Sequence, residues 1–330
     1  MTMLLRHFEY LTALARERHF AHAAQACFVS QPALSAGIRK LEAEFGVLIV
    51  QRGNRFLGFT PEGEQIVGWA ERVLAERDSL LQNVSSTGTD LTGRLRIAAI
   101  PTVLSSLSML TVPFRDTYPR TQVTVASLTS IEIQRQLLHY DADVGITYVD
   151  NEPITGGLCS YPLYRERYVL LTGDEFPGRS TVTWWEAAQR PLCLLTPDMQ
   201  NRRILNTAFR SAEAEPQPAI ETNSVTALCA HVRDGGWSTV MPHAWFHLFD
   251  PPAGLRALQL VEPDVTQTIG LVTREAEQEP ALVQAFRKLA DTVDMQHCLD
   301  QLLERTLATG TPETDPPGQR ASSVNVVARG

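Results

Sequence analysis

The stretch that decides the fold of the N-terminal region is AHAAQACFVSQPALSAGIRKLEAEFG, residues 21–46. Its first part is mostly alanine, and short side chains let another helix cross at close range. After an interruption at Phe28-Val29, a second helix begins with Ser30 as N-cap and Pro32 in the first turn, where the missing N–H of proline costs nothing. Gly46 is placed to end this helix. Two short helices in this order predict a helix-turn-helix.

The second of these helices carries two different faces. Its apolar face holds Leu34, Ile38, Leu41 and Phe45, and its polar face holds Gln31, Ser35, Arg39 and Glu42. In the major groove of B-DNA, glutamine can bond adenine, arginine can bond guanine, and serine can bond bases or phosphates. An ordinary solvent-exposed helix is the alternative interpretation. The alanine-rich helix before it and the basic segment after it favour DNA reading.

Charge is unevenly distributed along the 330 residues. The whole chain carries a net charge of -8, which alone argues against a nucleic-acid partner. Residues 1–60, however, hold seven Lys and Arg against four acidic residues, so the remainder carries -11. Basic charge confined to one segment predicts that this segment contacts DNA and that the acidic remainder stays away from it.

The segments around the two helices complete a DNA-binding domain, assigned to residues 1–60. Apolar residues recur every three or four positions near the N-terminus, which predicts a preceding amphipathic helix. The segment QRGNRFLGFTPEG, residues 51–63, reads as two short strands around a turn, a wing, followed by a helix that starts at Thr60-Pro61. That helix spaces Ile66, Ala70, Val73, Leu74, Leu80, Leu81 and Val84 as a coiled-coil seam. Residues 61–90 are therefore predicted to be a linker that forms a homodimer.

These motifs together resemble one family. FAHAAQACFVSQPALSAGIRKLEAEFGVLIVQR, followed by FTPEG, resembles the N-terminal signature of LysR-type transcriptional regulators, and the order of domains is similar along roughly residues 4–300. The resemblance implies a winged helix-turn-helix in which Ser30, Gln31, Pro32, Ser35 and Arg39 lie in or beside the major groove. It also implies that Arg52 and Arg55 approach the backbone or minor groove. Members often carry a long polar residue where this chain has Ala36-Gly37, so base reading shifts towards Gln31 and Arg39.

From Arg94 onward, short apolar runs alternate with helical stretches, which predicts an α/β fold with buried parallel strands. The family resemblance implies a two-lobed effector domain like the type 2 periplasmic-binding fold, with crossings near 164–168 and Val265. Lobe one then comprises residues 91–163 and 265–302, and lobe two comprises 164–264. The segment 303–330 is rich in Pro, Gly, Ser and Thr and is expected to be a disordered tail.

Hydroxyl, amide and guanidinium groups recur where strands of this domain end. They are Pro101, Thr102, Ser105, Thr129 and Ser130 in lobe one, and Thr196, Gln200, Asn201, Arg202, Asn223 and Ser224 in lobe two. Such groups at helix starts suit a small carboxylate or similar anion, although each hydroxyl could equally be a helix cap. PLCLLTPDMQNR, residues 191–202, also resembles more distantly the LysR-type regulators found beside formate dehydrogenase genes.

Other classes find less support. No G-x-S-x-G, P-loop or H-E-x-x-H motif supports an enzyme, no cofactor is implied, and His243 with His247 lacks a third metal ligand. Five scattered cysteines predict reduced, mostly buried thiols, and a redox switch of Cys193 and Cys229 is the alternative. Without an apolar span or signal peptide, we expect a cytoplasmic protein with no membrane contact.

The predicted partners follow from the regulator interpretation. They are double-stranded DNA with an inverted-repeat operator, a small anionic effector, a second copy of the chain that can pair again into a homotetramer, and RNA polymerase. The rival from another class is a small-molecule-binding protein or enzyme whose N-terminal helices serve only oligomerisation. The salt dependence of DNA affinity separates the two, because phosphate contacts make affinity fall steeply with salt.

Overall fold

The computed structural model describes residues 2–52, 56–85, 91–150, 152–154, 156–173, 176, 178–251, 254–276 and 279–309. The N-terminal domain contains α1 (Thr2–Glu17), α2 (Phe20–Ala26), α3 (Gln31–Phe45), β1 (Val50–Arg52) and β2 (Phe56–Phe59), followed by the linker helix α4 (Pro61–Ser85). β1 and β2 pair antiparallel as the predicted wing.

The helix-turn-helix is held by a small core between α1, α2 and α3. Ala23 and Ala24 are buried beside Leu34, Ile38 and Leu41 of α3. The alanines leave room for α3 to cross α2 closely, as the composition predicted. Ser30 caps α3 by accepting a hydrogen bond from the Ala33 amide at 3.4 Å. Gly46 ends the helix with a φ of +70°, a conformation that favours glycine.

Two residues of α3 differ from the predicted faces. Glu42 is buried rather than on the free face, because its Oε1 accepts from the backbone amides of Ile49 at 3.1 Å and Val50 at 3.3 Å. This carboxylate therefore fixes the start of the wing against α3. Phe45 is half exposed rather than buried, and its ring stacks on Phe8 with centroids 6.4 Å apart.

The helix α4 begins where the sequence predicted. The Thr60 hydroxyl accepts from the Gly63 amide at 2.9 Å, and the Thr60 amide donates to the Ile49 carbonyl at 2.9 Å. Thr60 thus caps α4 and ties its first turn to the wing.

The predicted seam of α4 is divided between two surfaces. Ala70, together with its neighbour Val67, is buried in the N-terminal core, and Ile66 and Leu74 pack against that core. Among the described side chains of α4, the predicted seam residues Val73 and Leu80 are exposed together with Trp69, and the side chains of Leu81 and Val84 lie outside the described part. Residues three or four positions apart lie on one side of a helix, and the side that carries Ala70 packs against the N-terminal core that includes α1. That part of the predicted seam is therefore not available to a second helix.

Within the described residues, the effector domain contains a mixed eight-stranded sheet and a separate two-stranded parallel sheet of β8 and β9. Its strands are β3 (Gly93–Ala99), β4 (Thr121–Ser127), β5 (Val144–Tyr148), β6 (Leu158–Thr172), β7 (Thr181–Thr183), β8 (Leu192–Leu195), β9 (Pro218–Thr222), β10 (Thr239–Pro242), β11 (Arg256–Val261) and β12 (Thr266–Arg274). β3 pairs parallel with β4 and β5, and β8 pairs parallel with β9. β6 pairs antiparallel with β10, β11 and β12, and β12 also pairs antiparallel with β5.

Helices cover these sheets. They are α5 (Ser108–Thr117), α6 (Ser130–Leu138), α7 (Trp184–Ala188), α8 (Gln200–Ser211), α9 (Val225–Gly235), α10 (Ala281–Ala290) and α11 (Met295–Thr309), with a 3₁₀ helix at His243–His247. β6 joins the two lobes, because it pairs with β12 up to Arg167 and with β10 from Tyr168 onward.

The C-terminal helix corrects two predicted boundaries. Residues 295–302 were expected in lobe one, but α11 packs on lobe two, where Leu303 is buried with Leu171, Trp245 and Phe246. The tail was expected to start at residue 303, but α11 continues to Thr309 because the apolar residues of its last turns have this core to cover. Residues 310–330 of the predicted tail lie outside the described residues.

The glycine in the first turn of α4 gives a test of this packing. A Cβ at Gly63 would lie 2.1 Å from the Ile49 carbonyl oxygen, whereas nothing lies within 4 Å of a Cβ at Gly68 on the same helix. Gly63→Ala should destabilise the N-terminal domain by about 1–3 kcal/mol. The matched control Gly68→Ala should be neutral or stabilising by about 0.5–1 kcal/mol. Equal melting temperatures of the two variants, measured by circular dichroism, would contradict the close contact.

Candidate nucleic-acid interface and inter-lobe site

The polar face of α3 is open to a partner. Gln31, Pro32 and Arg39 are exposed, Ser35 is half-buried, and Ser30 is exposed at the helix start. The side chains predicted to read DNA therefore share one accessible surface while the opposite face holds the core. An α-helix of this kind fits the major groove, with its N-terminal end towards the bases.

Phe28 lies in the turn that precedes this surface. Its side chain is 95% exposed, and its backbone has a φ of +55°, which non-glycine residues seldom adopt. The sequence analysis used Phe28 only as a break between helices. Its exposure beside the start of α3 adds an apolar group to the candidate interface.

Gly37 has a structural reason that the sequence did not reveal. It is buried, and a Cβ there would lie 2.6 Å from the ring of Tyr10 and 3.0 Å from the ring of His7. The absence of a side chain lets α3 approach α1. This position therefore faces the core rather than the surface that carries Gln31 and Arg39.

The two arginines of the wing are described less fully. Arg52 ends β1, and only its backbone belongs to the described part of the chain. Arg55 lies outside the described residues. Their approach to the DNA backbone stays a prediction.

A buried hydrogen-bond network joins the two lobes. The Tyr148 hydroxyl, at the end of β5, donates to Glu166 Oε1 at 2.7 Å and accepts from Asn201 Nδ2 of α8 at 3.1 Å. Thr102, which follows β3, lies 3.5 Å from the same hydroxyl. Tyr148 belongs to lobe one, Asn201 to lobe two and Glu166 to the strand that connects them, so the network spans the cleft.

Burial gives Glu166 an unusual protonation equilibrium. Its side chain is fully buried, and this desolvation raises its pKa from 4.5 to about 7, although the hydrogen bond from Tyr148 and the nearby hydroxyl of Tyr168 oppose the shift. Burial likewise raises the pKa of Tyr148, Tyr164 and Tyr168 well above 10, so these hydroxyls stay protonated. A carboxyl that titrates near neutral pH thus lies among neutral hydroxyl groups.

The sequence analysis missed this acidic group. Tyr164, Glu166 and Tyr168 alternate along β6, the spacing that puts side chains on one face of a strand. The signal available in the sequence was a charged residue in that alternation, just before the apolar run Val169–Leu171. The sequence does not show that β6 crosses between the lobes at this point, and that crossing is what buries Glu166.

Several predicted effector residues do lie at the lobe boundary. Thr102 and Ser105 are buried, and Ser105 Oγ donates to the Ala244 carbonyl of lobe two at 3.3 Å. Gln200 and Asn201 are buried in the first turn of α8, and Pro101 is half-buried beside Thr102. The Thr196 hydroxyl is buried without a hydrogen-bond partner among the described residues.

Other predicted effector residues serve the fold. Thr129 caps α6 in a reciprocal pair with Glu132, and Ser224 caps α9 by accepting from the Ala227 amide. Asn223 is exposed. Arg202 is buried but occupied within lobe two, where it donates to the Leu195 carbonyl at 2.7 Å and to Glu221 at 2.6 Å. Helix ends and buried cations need hydrogen-bond partners close by, so these side chains bond to their own neighbours and do not meet in the predicted cluster.

Ser130 takes part in a second contact between the lobes. Its hydroxyl donates to Glu152 at 3.2 Å, and Glu152 also accepts from Arg203 Nε of α8 at 2.9 Å. The other end of α6 meets the linker helix, where His139 Nδ1 lies 3.1 Å from Glu71 Oε2. α6 is therefore in contact with the cleft at one end and with α4 at the other.

Burial lowers the reactivity of the two cysteines that were predicted as a possible redox switch. Burial raises the pKa of Cys193, and it raises that of Cys229 to about 12, which disfavours the reactive thiolate. All five cysteines are free. Within the part of the chain that the structure describes, no group of three or more His, Cys, Asp or Glu could hold a metal ion.

The pKa of Glu166 predicts how stability depends on pH. A folded-state pKa of about 7, raised from 4.5, means that the folded protein binds a proton that the unfolded chain has lost. The free energy of unfolding should therefore fall by about 3 kcal/mol as pH rises from about 4.5 to 7 and then level off. Glu166→Gln should remove this dependence of the free energy of unfolding on pH. At pH 8 the variant should therefore be more stable, relative to the unmodified protein, than it is at pH 5. Thermal unfolding between pH 5 and 8 checks this, and parallel curves for the two proteins would contradict it.

Comparisons with known proteins match both parts of the chain. Residues 5–64 match the family profile "Bacterial regulatory helix-turn-helix protein, lysR family", and residues 88–294 match "LysR substrate binding domain". The DNA-binding transcriptional dual regulator OxyR of Escherichia coli K12 is 30% identical over 298 residues, covering 88% of this chain and 95% of OxyR. CysB of Burkholderia cenocepacia is 27% identical over 292 residues, covering 86% of this chain and 90% of CysB.

Solved structures share the fold. Full-length OxyR from Pseudomonas aeruginosa, a variant form, aligns with a TM-score of 0.69 at 24% identity, covering 88% of this chain and 98% of that one. CbnR in complex with its target DNA aligns with a TM-score of 0.62 at 21% identity, covering 88% and 99%. No helix in the described ranges has the length and apolar character that a bilayer crossing requires. Two family profiles and a relative at 30% identity agree: the chain belongs to the LysR-type family of DNA-binding transcriptional regulators.

Proposed function

We propose that this regulator binds an inverted-repeat operator as a homodimer, with one α3 helix in each of two major grooves. The observation that carries the proposal is the exposed polar face of α3, with Gln31 and Arg39 accessible and the opposite face buried. Two-fold symmetry of a dimer requires matching half-sites. Because the partner is chromosomal DNA, the protein would act in the cytoplasm, and RNA polymerase bound nearby would be a further partner.

The exposed apolar groups of α4 support the dimer. Trp69 is 60% exposed and Leu80 is 62% exposed, with Val73 between them on the same helix. Large apolar groups at this spacing are stabilised when a second helix covers them. We infer that α4 of a second copy covers this seam, and that the effector domains pair dimers into a tetramer.

The cleft between the lobes is the proposed effector site. Its buried polar groups come from both lobes, so a ligand bound there would contact both and favour one lobe arrangement. The buried first turn of α8 favours an anion, and a small carboxylate is the proposed class. Through α6, which contacts both the cleft and Glu71 of α4, that arrangement would alter the spacing of the paired reading helices.

A cysteine-based redox sensor is the second candidate, because several relatives are named hydrogen peroxide-inducible genes activators. Burial keeps the Cys193 and Cys229 thiols protonated, so we expect hydrogen peroxide to leave operator affinity unchanged. Fluorescence anisotropy with and without peroxide measures this, and Cys193→Ser with Cys229→Ser serves as the oxidation-insensitive reference. A peroxide-dependent affinity that disappears in the double variant would instead establish the redox sensor.

Arg39 gives the main test of DNA reading. Arg39→Ala should weaken operator binding by about 1–3 kcal/mol if the guanidinium contacts a base, or reduce the salt dependence if it contacts a phosphate. Arg210→Ala, which removes an exposed arginine of lobe two, is the control and should bind normally. Anisotropy titrations at several salt concentrations, with DNA flanking the protein's own gene, distinguish the two. Unchanged affinity and salt dependence in Arg39→Ala would contradict the contact of Arg39 with DNA.

A further inference from the structure

The first turn of α8 is a buried helix start with unused polar groups. Gln200, its first residue, is 3% exposed, and neither its Oε1 nor its Nε2 has a hydrogen-bond partner among the described residues. Met199 precedes it and provides no side-chain cap. Backbone amides at a helix start carry partial positive charge and point outward, so this turn is suited to an oxyanion.

Glu166 lies two hydrogen bonds away from this turn. Asn201, next to Gln200, donates to the Tyr148 hydroxyl, which donates to Glu166 Oε1. The other carboxyl oxygen, Oε2, is buried and has no partner in the part of the chain described. An unpartnered oxygen in such a position either carries a proton or is left without compensation.

Among the described residues, the groups that act on the pKa of Glu166 carry no permanent positive charge. From β5 and β6 Glu166 meets the hydroxyls of Tyr148 and Tyr168, with Tyr164 acting on the same cluster. The adjacent residues of β6 bond elsewhere: Arg165 donates to Thr266 at 2.8 Å, and Arg167 Nε lies 3.7 Å from Asp300.

Two further titratable groups near the cluster are the imidazole of the 3₁₀ helix, His243, and the carboxylate of Asp300 on α11, whose Oδ1 lies 3.9 Å from His243 Nε2. His243 is buried, its ring lies 6.1 Å from that of Tyr164, and its Nδ1 accepts from the Arg167 amide. Burial lowers the pKa of His243 to about 4, so it stays neutral above that pH. An anion entering this cleft would therefore face an acid that no neighbouring cation neutralises.

We propose that the effector of this cleft is a small carboxylate that binds together with one proton, and that Glu166 holds this proton. The inference rests on the proposed effector site and adds the chemistry of its ligand. One ligand oxygen accepts a hydrogen bond from protonated Glu166, and the other accepts from the first turn of α8 or the Gln200 amide. The proton comes from water, and no covalent bond forms or breaks.

Proton coupling gives the effector a defined pH dependence. Below pH 7 Glu166 already carries the proton, so affinity is nearly constant. Above pH 7 each binding event must take up a proton, and the apparent Kd should rise about tenfold per pH unit. Formate and acetate stay ionised across this range, because their own protons are lost well below neutral pH. A change of the apparent Kd with pH therefore reports a proton bound by the protein and not one bound by the ligand.

Isothermal titration calorimetry tests the proposal, with sodium formate and sodium acetate as probes. At pH 8, titrations in phosphate and in Tris, whose ionisation enthalpies differ, should show an uptake of about one proton per bound carboxylate. Glu166→Gln should bind the same probe with an affinity that does not vary from pH 6 to 9 and with no uptake. Glu304→Gln, which changes an exposed carboxylate of α11, is the matched control and should behave like the unmodified protein.

Two results would overturn the proposal. Binding without proton uptake by the unmodified protein rejects the role of Glu166, and this result does not depend on the folding of any variant. Failure of both probes to bind at pH 6 rejects a small carboxylate. Operator binding measured on the same preparation separates these outcomes from failure of the proposed regulator function, since DNA affinity without any carboxylate binding leaves the α3 interface intact.

Discussion

The hydrogen bond from Tyr148 to Glu166 is the interaction on which the arrangement of the two lobes depends. Glu166 lies at the point where β6 leaves one lobe for the other, and its carboxyl group is fully buried. An ionised carboxylate in such a place costs several kcal/mol unless it is paired. Tyr148 from lobe one and Asn201 from lobe two complete the network, so the bonds that satisfy the acid also hold the lobes together. Lobe separation would admit water and lower the cost of ionisation, which couples the lobe arrangement to the proton.

The contacts leading away from this network reach the DNA-binding domain. Ser130 and Glu152 connect α6 to lobe two, and His139 at its other end meets Glu71 of α4. Arg16 of α1 also lies 2.9 Å from Asp141, just beyond α6. Because helices are stiff over this length, the proposed change of lobe arrangement would reach α4 as movement of one packed element. The two proposed arrangements would differ in how well they bury these polar contacts.

The spacing of apolar residues predicted much of the fold, because where helices and strands begin and end depends largely on the local sequence. The caps at Ser30 and Thr60 define the starts of α3 and α4, and the short apolar runs after Arg94 predicted the alternation of strands and helices in the effector domain. Contacts between residues that are distant in the sequence determined the features that the local patterns did not predict. Glu42 belongs to the wing start, Ala70 to the N-terminal core, and α11 to lobe two. A spacing rule says which residues share a face but not which neighbour that face will meet.

The candidate site was less predictable than the fold for the same reason. Hydroxyls at strand ends were readily found, yet Thr129 and Ser224 turned out to be caps, a local role that the same sequence pattern allows. Glu166 was missed because its importance comes from burial at a strand crossing, which requires the positions of both lobes. Gly37 was noticed as a departure from the family, but only the nearby rings of Tyr10 and His7 explain it.

A shared fold does not by itself transfer the chemistry for which the hydrogen peroxide relatives are named. Two residues of this chain bear on the question. A thiol sensor needs an accessible thiolate, and Cys229 is kept in its thiol form by burial that raises its pKa to about 12. Glu166 is moved by the same physical effect, desolvation, to a pKa of about 7, where the cell's pH leaves it poised between its two forms. The desolvation that disfavours the thiolate of the cysteine therefore brings the carboxyl into the neutral pH range, and the proposed ligand chemistry of this cleft uses hydrogen bonds and a proton instead of a thiol.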